Sequence, residues 1–262
     1  MTRIHPTAVV DPAAELDSSV KVGPFSVIGP NVRIGPDTDI GAHCVIDGRT
    51  TIGANNRFFP FCSIGAISQD KKYRGEPTRL EVGDNNTVRE FCTMHLGTVQ
   101  DEGVTRVGSD NWIMTYVHIA HDCRVGSNTI LSSSAQLAGH VHVQDWAILG
   151  GFTGVHQFVK IGAHSMTAGQ ALVLQDVPPF VMAAGSPAKP AGINTEGLKR
   201  RGFSAAAIKG IRDAFKTLYR SGLTLAEAKS AIAAQRQAGG EAAGSLDVLL
   251  GFLDTASRGI VR

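Results

Sequence analysis

Residues 22–46 read VGPFSV-IGPNVR-IGPDTD-IGAHCV-I, and an aliphatic residue returns at every sixth position. The same spacing continues in both directions along the chain. One run holds Ile4, Val10, Leu16, Val22, Ile28, Ile34, Ile40, Ile46, Ile52, Phe58 and Ile64. A second run, shifted by one residue, holds Val107, Ile113, Ile119, Val125, Leu131, Leu137, Val143, Leu149, Val155 and Ile161. A six-residue repeat is typical of a parallel β-helix.

Each hexad has an aliphatic residue, often a glycine, two variable residues, a small residue and a sixth residue of any type, as in Ile34–Asp39. Strand side chains alternate between faces, so the aliphatic residue is expected to point inward. The small residue is expected inside a corner, and the glycine is expected to permit the turn. Three strands and three corners make a triangular coil of about eighteen residues, so residues 4 to about 187 predict roughly ten coils.

The four cysteines, Cys44, Cys62, Cys92 and Cys123, all occupy the small slot of a hexad. Free cysteine behaves as a small hydrophobic residue, which predicts that they fill the core. The chain contains no CxxC pair, which argues against a cysteine zinc site. The formal net charge of +2 gives no case for a nucleic-acid partner.

No apolar segment follows the N-terminal Met1-Thr2-Arg3, and no stretch approaches the ~20 apolar residues of a membrane span. The sequence therefore predicts a cytoplasmic protein with no stable membrane insertion.

The repeat is interrupted twice, between Ile64 and Val82 and between Met94 and Val107. The first interruption, Gln69–Arg79, is polar throughout, and the second contains residues 97–103. Both are predicted to be loops that project from the prism, where binding residues concentrate on a rigid scaffold.

The repeat dissolves after residues 176–179, and helical periodicity begins near Asn194. Ser204 is predicted to cap a helix that Gly222 ends, and Thr224 to Glu227 fits a capping box. A last short helix is predicted to open at Ser245. The predicted division is a β-helix domain over 1–190 and a small helical domain over 191–262.

Nine histidines occur in a repeat that needs none. His118 and His121 flank one corner, and His140 follows close to one coil after His121, so the three are predicted to cluster on one edge. Two readings compete. Imidazole suits general-base catalysis on a hydroxyl. Alternatively, three histidines on a β-helix edge could bind zinc, as in the γ-class carbonic anhydrases.

Basic residues form two further groups, one in the first loop and one at the junction with the helices. Lys71, Lys72, Arg74 and Arg79 form the first, and residues 199–201 form the second. Their placement favours a phosphate-bearing ligand or an acidic partner.

The chain resembles the UDP-N-acetylglucosamine acyltransferase family along essentially its whole length. The segments that carry the resemblance are Gln69–Arg79 (QDKKYRGEPTR), Ile119–Cys123 (IAHDC), Leu137–Val141 (LAGHV), Val155–Phe158 (VHQF), Gln175–Pro179 (QDVPP) and Glu196–Phe203 (EGLKRRGF). The hexads alone indicate only a broad acyltransferase superfamily, whereas the His-Asp, Ala-Gly-His and Gly-Leu-Lys-Arg-Arg-Gly-Phe segments together are much more specific.

The resemblance implies a left-handed β-helix, an exception to right-handed crossovers, and a homotrimer with active sites between subunits. It implies transfer of an (R)-3-hydroxyacyl group from acyl carrier protein to the 3-hydroxyl of UDP-N-acetylglucosamine, the first step of lipid A synthesis. His121 would be the general base, Asp122 its orienting partner, and the Gly139 N–H part of the oxyanion hole. A thioester is already activated, so no metal or cofactor is expected.

The resemblance also implies a substrate-binding set. Its members are Gln69, Asp70, Lys72, His95, His118, His140, His156, Gln157, Gly169, Asn194, Glu196, Arg200 and Arg201. Those that would contact the sugar nucleotide are Asp70, Lys72, His118, His140, His156 and Gln157. The last four would hold the acyl-pantetheine and nucleotide ends or dock the acidic carrier protein. Gly169 matches a position that limits acyl length, but Pro187 stands where some members carry His, so the length stays open.

Three rivals stand beside this reading. The sibling N-acyltransferase of the same pathway carries an extra N-terminal uridine-binding domain, for which a repeat starting at Ile4 leaves no room. A γ-class carbonic anhydrase would need three zinc ligands. A non-catalytic solenoid would need regular, threonine-rich flat faces without interruptions.

Overall fold

The computed structural model describes residues 4–256 and 258–262. The prediction of no leader at Met1–Arg3 and the first residues of the predicted β-helix domain lie outside this range. The hexads form short strands, most of them of two residues, arranged in three sheets of nine, eight and ten strands.

The three sheets are named I, II and III in the order in which each coil passes through them. Sheet I contains Val9–Val10, Val27–Ile28, Val45–Ile46, Ser63–Ala66, Thr93–His95, His118–Ile119, Gln136–Leu137, Gly154–Val155 and Leu172–Val173. Sheet II contains Glu15–Leu16, Arg33–Ile34, Arg49–Ile52, Arg79–Val82, Val104–Val107, Arg124–Val125, His142–Val143 and Lys160–Ile161. Sheet III contains Lys21–Val22, Asp39–Ile40, Arg57–Phe58, Thr87–Val88, Trp112–Ile113, Ile130–Leu131, Ile148–Leu149, Met166–Thr167, Val181–Ala184 and Lys189–Ile193.

Within the β-helix, neighbouring strands of each sheet pair in parallel one coil apart, and the register is set by the hexad. Val27 lies opposite Val45, and Ile28 lies opposite Ile46. The inward residues of successive coils therefore stack into one continuous core. The predicted parallel β-helix of roughly ten coils is confirmed.

The core residues are those that the repeat predicts. Ile28, Ile46 and Ile64 are fully buried, and so are all four cysteines, which are free thiols in the small slot. Burial of one such aliphatic side chain contributes about 1.5–3 kcal/mol, and most strands of the β-helix repeat this burial.

The prediction that glycine in the second slot of the hexad permits the turn is wrong. The left-handed backbone conformation lies two residues later, for example at Phe25 (φ 58°) and Asp37 (φ 56°). Gly23 and Gly35 are needed because the next coil passes too close for a side chain. A Cβ on Gly23 would lie 2.7 Å from the carbonyl carbon of Gly41.

Aromatic side chains occupy many of these left-handed corner positions instead of the core. At the corner between sheets III and I, the rings of Phe25, His43, Phe61, Phe91 and Tyr116 stack with centroids about 5 Å apart. The distance between the rings follows from the spacing between successive coils.

The two interruptions both fall at the corner between sheets I and II. Residues 67–78 form the first loop, and most of them are exposed. Residues 96–103 form the second loop, which does not project along its whole length as predicted, because Leu96, Gly97 and Thr98 are buried against the coil.

The described residues form four α-helices: α1 (Thr195–Arg200), α2 (Ala205–Arg220), α3 (Leu225–Gln237) and α4 (Ala243–Thr255). Ser204 caps α2, and Thr224 and Glu227 form the predicted capping box of α3. The predicted start of the last helix at Ser245 is wrong. The helix begins at Ala243 without a side-chain cap. None of these helices is both long and apolar enough to cross a membrane.

The junction between the β-helix and the helices is a hairpin, in which Lys189–Ile193 runs antiparallel to Val181–Ala184. This strand crosses the predicted boundary at 190/191. The helices then pack into a second core that includes Phe180 and Leu198. The division into two domains stays a prediction.

Candidate active site

A groove of about 940 Å³ runs along the corner between sheets I and II. Nine of the predicted site residues line it: Gln69, Asp70, Lys72, His118, His121, Gly139, His140, His156 and Gln157. The coil repeat explains why they meet, because residues about eighteen positions apart lie one coil apart. The structure therefore brings together the histidines that the sequence placed on one edge.

His121 and Asp122 form a hydrogen-bonded pair at this corner, with His121 Nδ1 2.8 Å from Asp122 Oδ2. Neighbours on a straight strand point to opposite faces. Here Asp122 has φ 60°, so the chain turns and both side chains point to the same side. The Asp122 carboxylate is fully buried, whereas the His121 ring is partly exposed to the groove. With Nδ1 bound to a carboxylate, Nε2 is left as the basic nitrogen.

Gly139 lies directly against the His121 ring. A Cβ at this position would stand 2.6 Å from His121 Nε2 and 2.5 Å from Cε1, so only glycine fits. Among the described residues, no hydrogen-bond acceptor is in place for the Gly139 N–H. An unused backbone donor next to a basic nitrogen is the arrangement that an acyl-transfer oxyanion hole requires.

Three further histidines surround this pair. The ring of His140 meets that of His121 edge to face with centroids 5.1 Å apart, and it stacks on Phe158 at 4.4 Å. His118 and His95 meet edge to face at 5.1 Å. His95 is buried and lies behind His118 without lining the groove.

Burial keeps the inner histidines neutral. Desolvation, together with the nearby rings of His95 and His121, lowers the pKa of His118 to about 4. Desolvation also lowers the pKa of His95. Near neutral pH these two rings therefore serve as uncharged hydrogen-bonding groups.

The first loop contributes Asp70 and Lys72 to the groove. The backbone N–H of Lys72 donates to Asp70 Oδ1 over 2.9 Å, and this bond lowers the pKa of the Asp70 carboxyl. His121 and His140 lower the same pKa, which places Asp70 within electrostatic reach of both rings. The loop thus supplies one acceptor and one cation to the site.

Five predicted residues lie away from the groove of their own chain: Gly169, Asn194, Glu196, Arg200 and Arg201. Gly169 is exposed at the corner between sheets III and I. Asn194 caps α1 and donates to the His164 carbonyl oxygen over 3.0 Å. Arg201 contacts His164 Nδ1 and stacks on Trp146 at the corner between sheets II and III. Sheet II separates Asn194 and Arg201 from His121, whereas sheet I separates Gly169 from it.

Sequence reasoning missed three residues that hold the site. Thr98 bonds to Asp122, Asp101 bonds to His140, and Thr93 Oγ1 lies 2.7 Å from His118 Nδ1. The available signal was the second interruption of the repeat, which contains the first two.

His121, Asp122 and His140 also form a group whose ligand atoms lie within 4.8 Å of one another. The carbonic anhydrase reading needs three histidines, and this set has two histidines and a carboxylate. That carboxylate already accepts hydrogen bonds from the backbone and hydroxyl of Thr98. The geometry suits a histidine base oriented by a carboxylate better than a zinc centre.

Comparisons with known proteins agree with this geometry. Models of the bacterial transferase hexapeptide repeat match residues 13–48 and 105–139, and a model described as domain 2 of UDP-N-acetylglucosamine O-acyltransferase matches residues 176–261. Fold and site together define a hexapeptide-repeat acyltransferase.

Full-length relatives define the class further. The chain is 62% identical over 262 residues to the acyl-[acyl-carrier-protein]–UDP-N-acetylglucosamine O-acyltransferase of Janthinobacterium sp. (strain Marseille), covering 100% of both chains. It is 58% identical to the protein of the same name from Burkholderia orbicola (strain MC0-3), again covering 100% of both. The chain belongs to the acyl-[acyl-carrier-protein]–UDP-N-acetylglucosamine O-acyltransferase family.

Solved structures of related proteins share the fold along nearly the whole chain. LpxA from Acinetobacter baumannii superposes with a TM-score of 0.95 at 46% identity, covering 99% of both chains. The UDP-N-acetylglucosamine acyltransferase of Francisella novicida gives 0.95 at 44% identity, covering 99% of this chain and 94% of that one. The predicted fold, a left-handed parallel β-helix with a small C-terminal helical part, is confirmed.

Replacing Gly139 with alanine is expected to reduce kcat by about 10²-fold, because the new Cβ must displace the His121 ring and misplaced reacting groups cost about that much. Gly151→Ala is the matched control. Gly151 occupies the same hexad slot at another corner, where a Cβ lies 3.4 Å from the Ser133 carbonyl oxygen. Steady-state kinetics with thermal unfolding as a folding check would measure both. Equal activities for the two variants would contradict the predicted role of Gly139.

The stability of the fold is expected to fall in mild acid. His118 and His164 each have a pKa of about 4 in the folded protein, mainly through burial, against an ordinary value of 6.5. Between these values the unfolded chain binds more protons, so the free energy of unfolding falls as pH drops from about 6.5 toward 4. The slope is at most about 1.4 kcal/mol per pH unit for each histidine, and partial exposure reduces it.

Urea unfolding at fixed protein concentration, at pH 7 and pH 5, would measure this loss. The double variant His118→Gln with His164→Gln is expected to lose less stability between the two pH values than the natural chain. If the free energy of unfolding fell by the same amount between pH 7 and pH 5 in both chains, these histidines would not be the cause of the loss of stability in acid.

Proposed function

We propose that His121 is the general base in the transfer of an (R)-3-hydroxyacyl group from acyl carrier protein to the 3-hydroxyl of UDP-N-acetylglucosamine, the reaction that opens lipid A synthesis. One observation carries the proposal. His121 Nδ1 is held by the buried Asp122, so that Nε2 is the free nitrogen and lies against the unused N–H of Gly139. Base and oxyanion donor are therefore adjacent and face one groove.

The proposed chemistry needs only these groups. The glucosamine 3-hydroxyl oxygen attacks the thioester carbonyl carbon while His121 Nε2 takes the hydroxyl proton. The carbonyl oxygen gains negative charge and accepts a hydrogen bond from the Gly139 N–H. Collapse of this intermediate breaks the carbon–sulfur bond, and the imidazolium returns its proton to the leaving thiolate. The ester and the free carrier thiol are the products.

The other groove residues are proposed to hold the sugar nucleotide. Asp70 and Lys72 approach from the first loop, and the groove is also lined by His118, His140, His156 and Gln157. Gln69 lines the same groove, and His95 supports His118 from behind. A neutral His118 suits a hydroxyl or amide group, whereas the cation of Lys72 suits a phosphate.

We further propose that the protein works as a homotrimer. Asn194, Glu196, Arg200 and Arg201 lie across sheet II from the groove of their own chain, so they can meet reactants only in the groove of a neighbouring copy. The outer face of sheet II, between the two corners, bears the charged side chains of Arg106, Arg124 and Lys160. Light scattering on the purified protein tests the assembly. A stable monomer that retains full activity would contradict it.

In this arrangement the cationic Arg200 and Arg201 are proposed to bind the acyl-pantetheine and nucleotide ends or the acidic carrier protein. Gly169 is proposed to leave room for the acyl chain. We also propose that the reaction takes place in the cytoplasm, and that residues 1–190 and 191–262 are separate domains.

The experiment that tests the proposed function is an acyl-transfer assay with UDP-N-acetylglucosamine and carrier-bound 3-hydroxyacyl chains of several lengths. Product formation with at least one length is expected, without added metal. Failure with every length would overturn the proposed function and leave the fold standing.

A further inference from the structure

The second interruption of the repeat, residues 96–103, folds back onto the catalytic corner. Leu96 and Thr98 are buried, which an ordinary surface loop does not require. Gly97 approaches the Val104 backbone so closely that a Cβ would lie 2.3 Å from the Val104 nitrogen. The first part of the loop is therefore packed tightly against the coil.

Thr98 holds the buried carboxylate of Asp122 through two hydrogen bonds. Its backbone N–H donates to Oδ1 over 2.8 Å, and its hydroxyl donates to Oδ2 over 2.6 Å. Oδ2 is also the atom that faces His121 Nδ1. Because one bond reaches each carboxylate oxygen, Thr98 fixes the plane of the Asp122 carboxylate.

Asp101, three residues later, holds the second histidine. Its Oδ2 lies 3.0 Å from His140 Nδ1, and its Oδ1 accepts from Arg124 over 2.9 Å. Burial acts to raise the pKa of Asp101, but the bond to His140 and the charge of Arg124 outweigh it, so the pKa lies below its ordinary value. An ionised Asp101 keeps the proton of His140 on Nδ1 and aims Nε2 toward the Asp122 carboxylate, 3.8 Å away.

We propose that Thr98 and Asp101 are positioning residues, and that the second interruption places them against Asp122 and His140. The proposal rests on the proposed role of His121. Thr98 fixes the Asp122 carboxylate and hence the tautomer of the base. Asp101 fixes the ring of His140, which the sugar nucleotide contacts. The two act on different steps, so their removal should be distinguishable by kinetics.

Thr98→Val removes the hydroxyl at nearly constant shape. We expect kcat to fall about 10- to 100-fold, the usual effect of removing a group that orients a functional side chain, with KM for UDP-N-acetylglucosamine changed less than about threefold. Thr98→Ser restores the hydroxyl and is expected to keep kcat within about threefold of the natural chain. Equal losses in both variants, or none in either, would overturn the role of Thr98.

Asp101→Asn removes the charge that orients His140. We expect the main effect on KM for UDP-N-acetylglucosamine, which should rise about tenfold or more. Glu102→Gln is the matched control, because Glu102 lies on the same loop and pairs with Arg106 and Arg124 but contacts neither histidine. It should stay within about twofold. A similar KM for both variants would overturn the role of Asp101.

A measurement independent of activity separates this proposal from the proposed function. Nitrogen-15 NMR of labelled histidines, with His121→Gln to assign the signal, reports which ring nitrogen of His121 carries the proton. The natural chain should show the Nδ1–H tautomer, and Thr98→Val a mixture. An unchanged tautomer in Thr98→Val would refute positioning even if transfer occurs. If the tautomer changed in Thr98→Val but the natural chain transferred no acyl group, positioning would be supported and the proposed function refuted.

Discussion

His121→Ala is expected to lower kcat for acyl transfer by about 10²–10⁴-fold, the range for loss of a positioned general base. The His121 ring is partly exposed to the groove, and after its removal the buried Asp122 carboxylate still accepts both hydrogen bonds from Thr98, so the variant is expected to fold. Affinity for UDP-N-acetylglucosamine, measured by calorimetry, should change little. Turnover within a few-fold of the natural chain would mean that His121 is not the base.

Asp122→Asn is expected to lower kcat by a similar factor, although the two side chains are nearly the same size. The Thr98 N–H and hydroxyl both donate to Asp122. Asparagine has one side-chain oxygen, so it can accept a hydrogen bond at only one of the two carboxylate positions. Its amide group would then stand at the other position and donate toward His121 Nδ1. This moves the ring proton to Nε2 and removes the base, an exchange that costs about 10⁴ in serine proteases.

The matched control for this variant is Asp110→Asn. Asp110 occupies the same hexad slot at another corner, with φ 59°, and Asn128 already fills that slot one coil later with φ 59°. Both variants should fold, as thermal unfolding would show. If Asp110→Asn lost as much activity as Asp122→Asn, the loss would be caused by placing asparagine in this backbone conformation and not by removing the carboxylate that orients His121.

The repeat alone predicted the fold because the aliphatic position of each hexad is the residue that is buried in the core. Ile28, Ile46 and Ile64 are all buried where their spacing placed them. The histidine cluster could also be predicted, because a coil of about eighteen residues places His140 next to the position directly one coil above His121. The corner at Asp122, which allows the pairing with His121, needed the observed φ of 60°.

The contacts of the second loop, the role of the glycines and the start of α4 were harder to predict. Thr98 and Asp101 lie outside the repeat, so no periodicity places them, and only the folded loop shows which histidines they reach. The role of the glycines in the second slot was predicted wrongly. Glycine is needed there because the backbone of the next coil leaves no space for a Cβ, and not because of the glycine's own φ. The start of α4 was missed because Ala242 precedes it without a side-chain cap.

The most direct test of the central claim is a crystal structure with bound UDP-N-acetylglucosamine. We expect the glucosamine 3-hydroxyl oxygen to lie about 2.6–3.2 Å from His121 Nε2, the range for proton transfer, with the Gly139 N–H facing the space that the thioester carbonyl would occupy. A sugar bound with its 3-hydroxyl against another histidine, and out of reach of His121, would contradict the account.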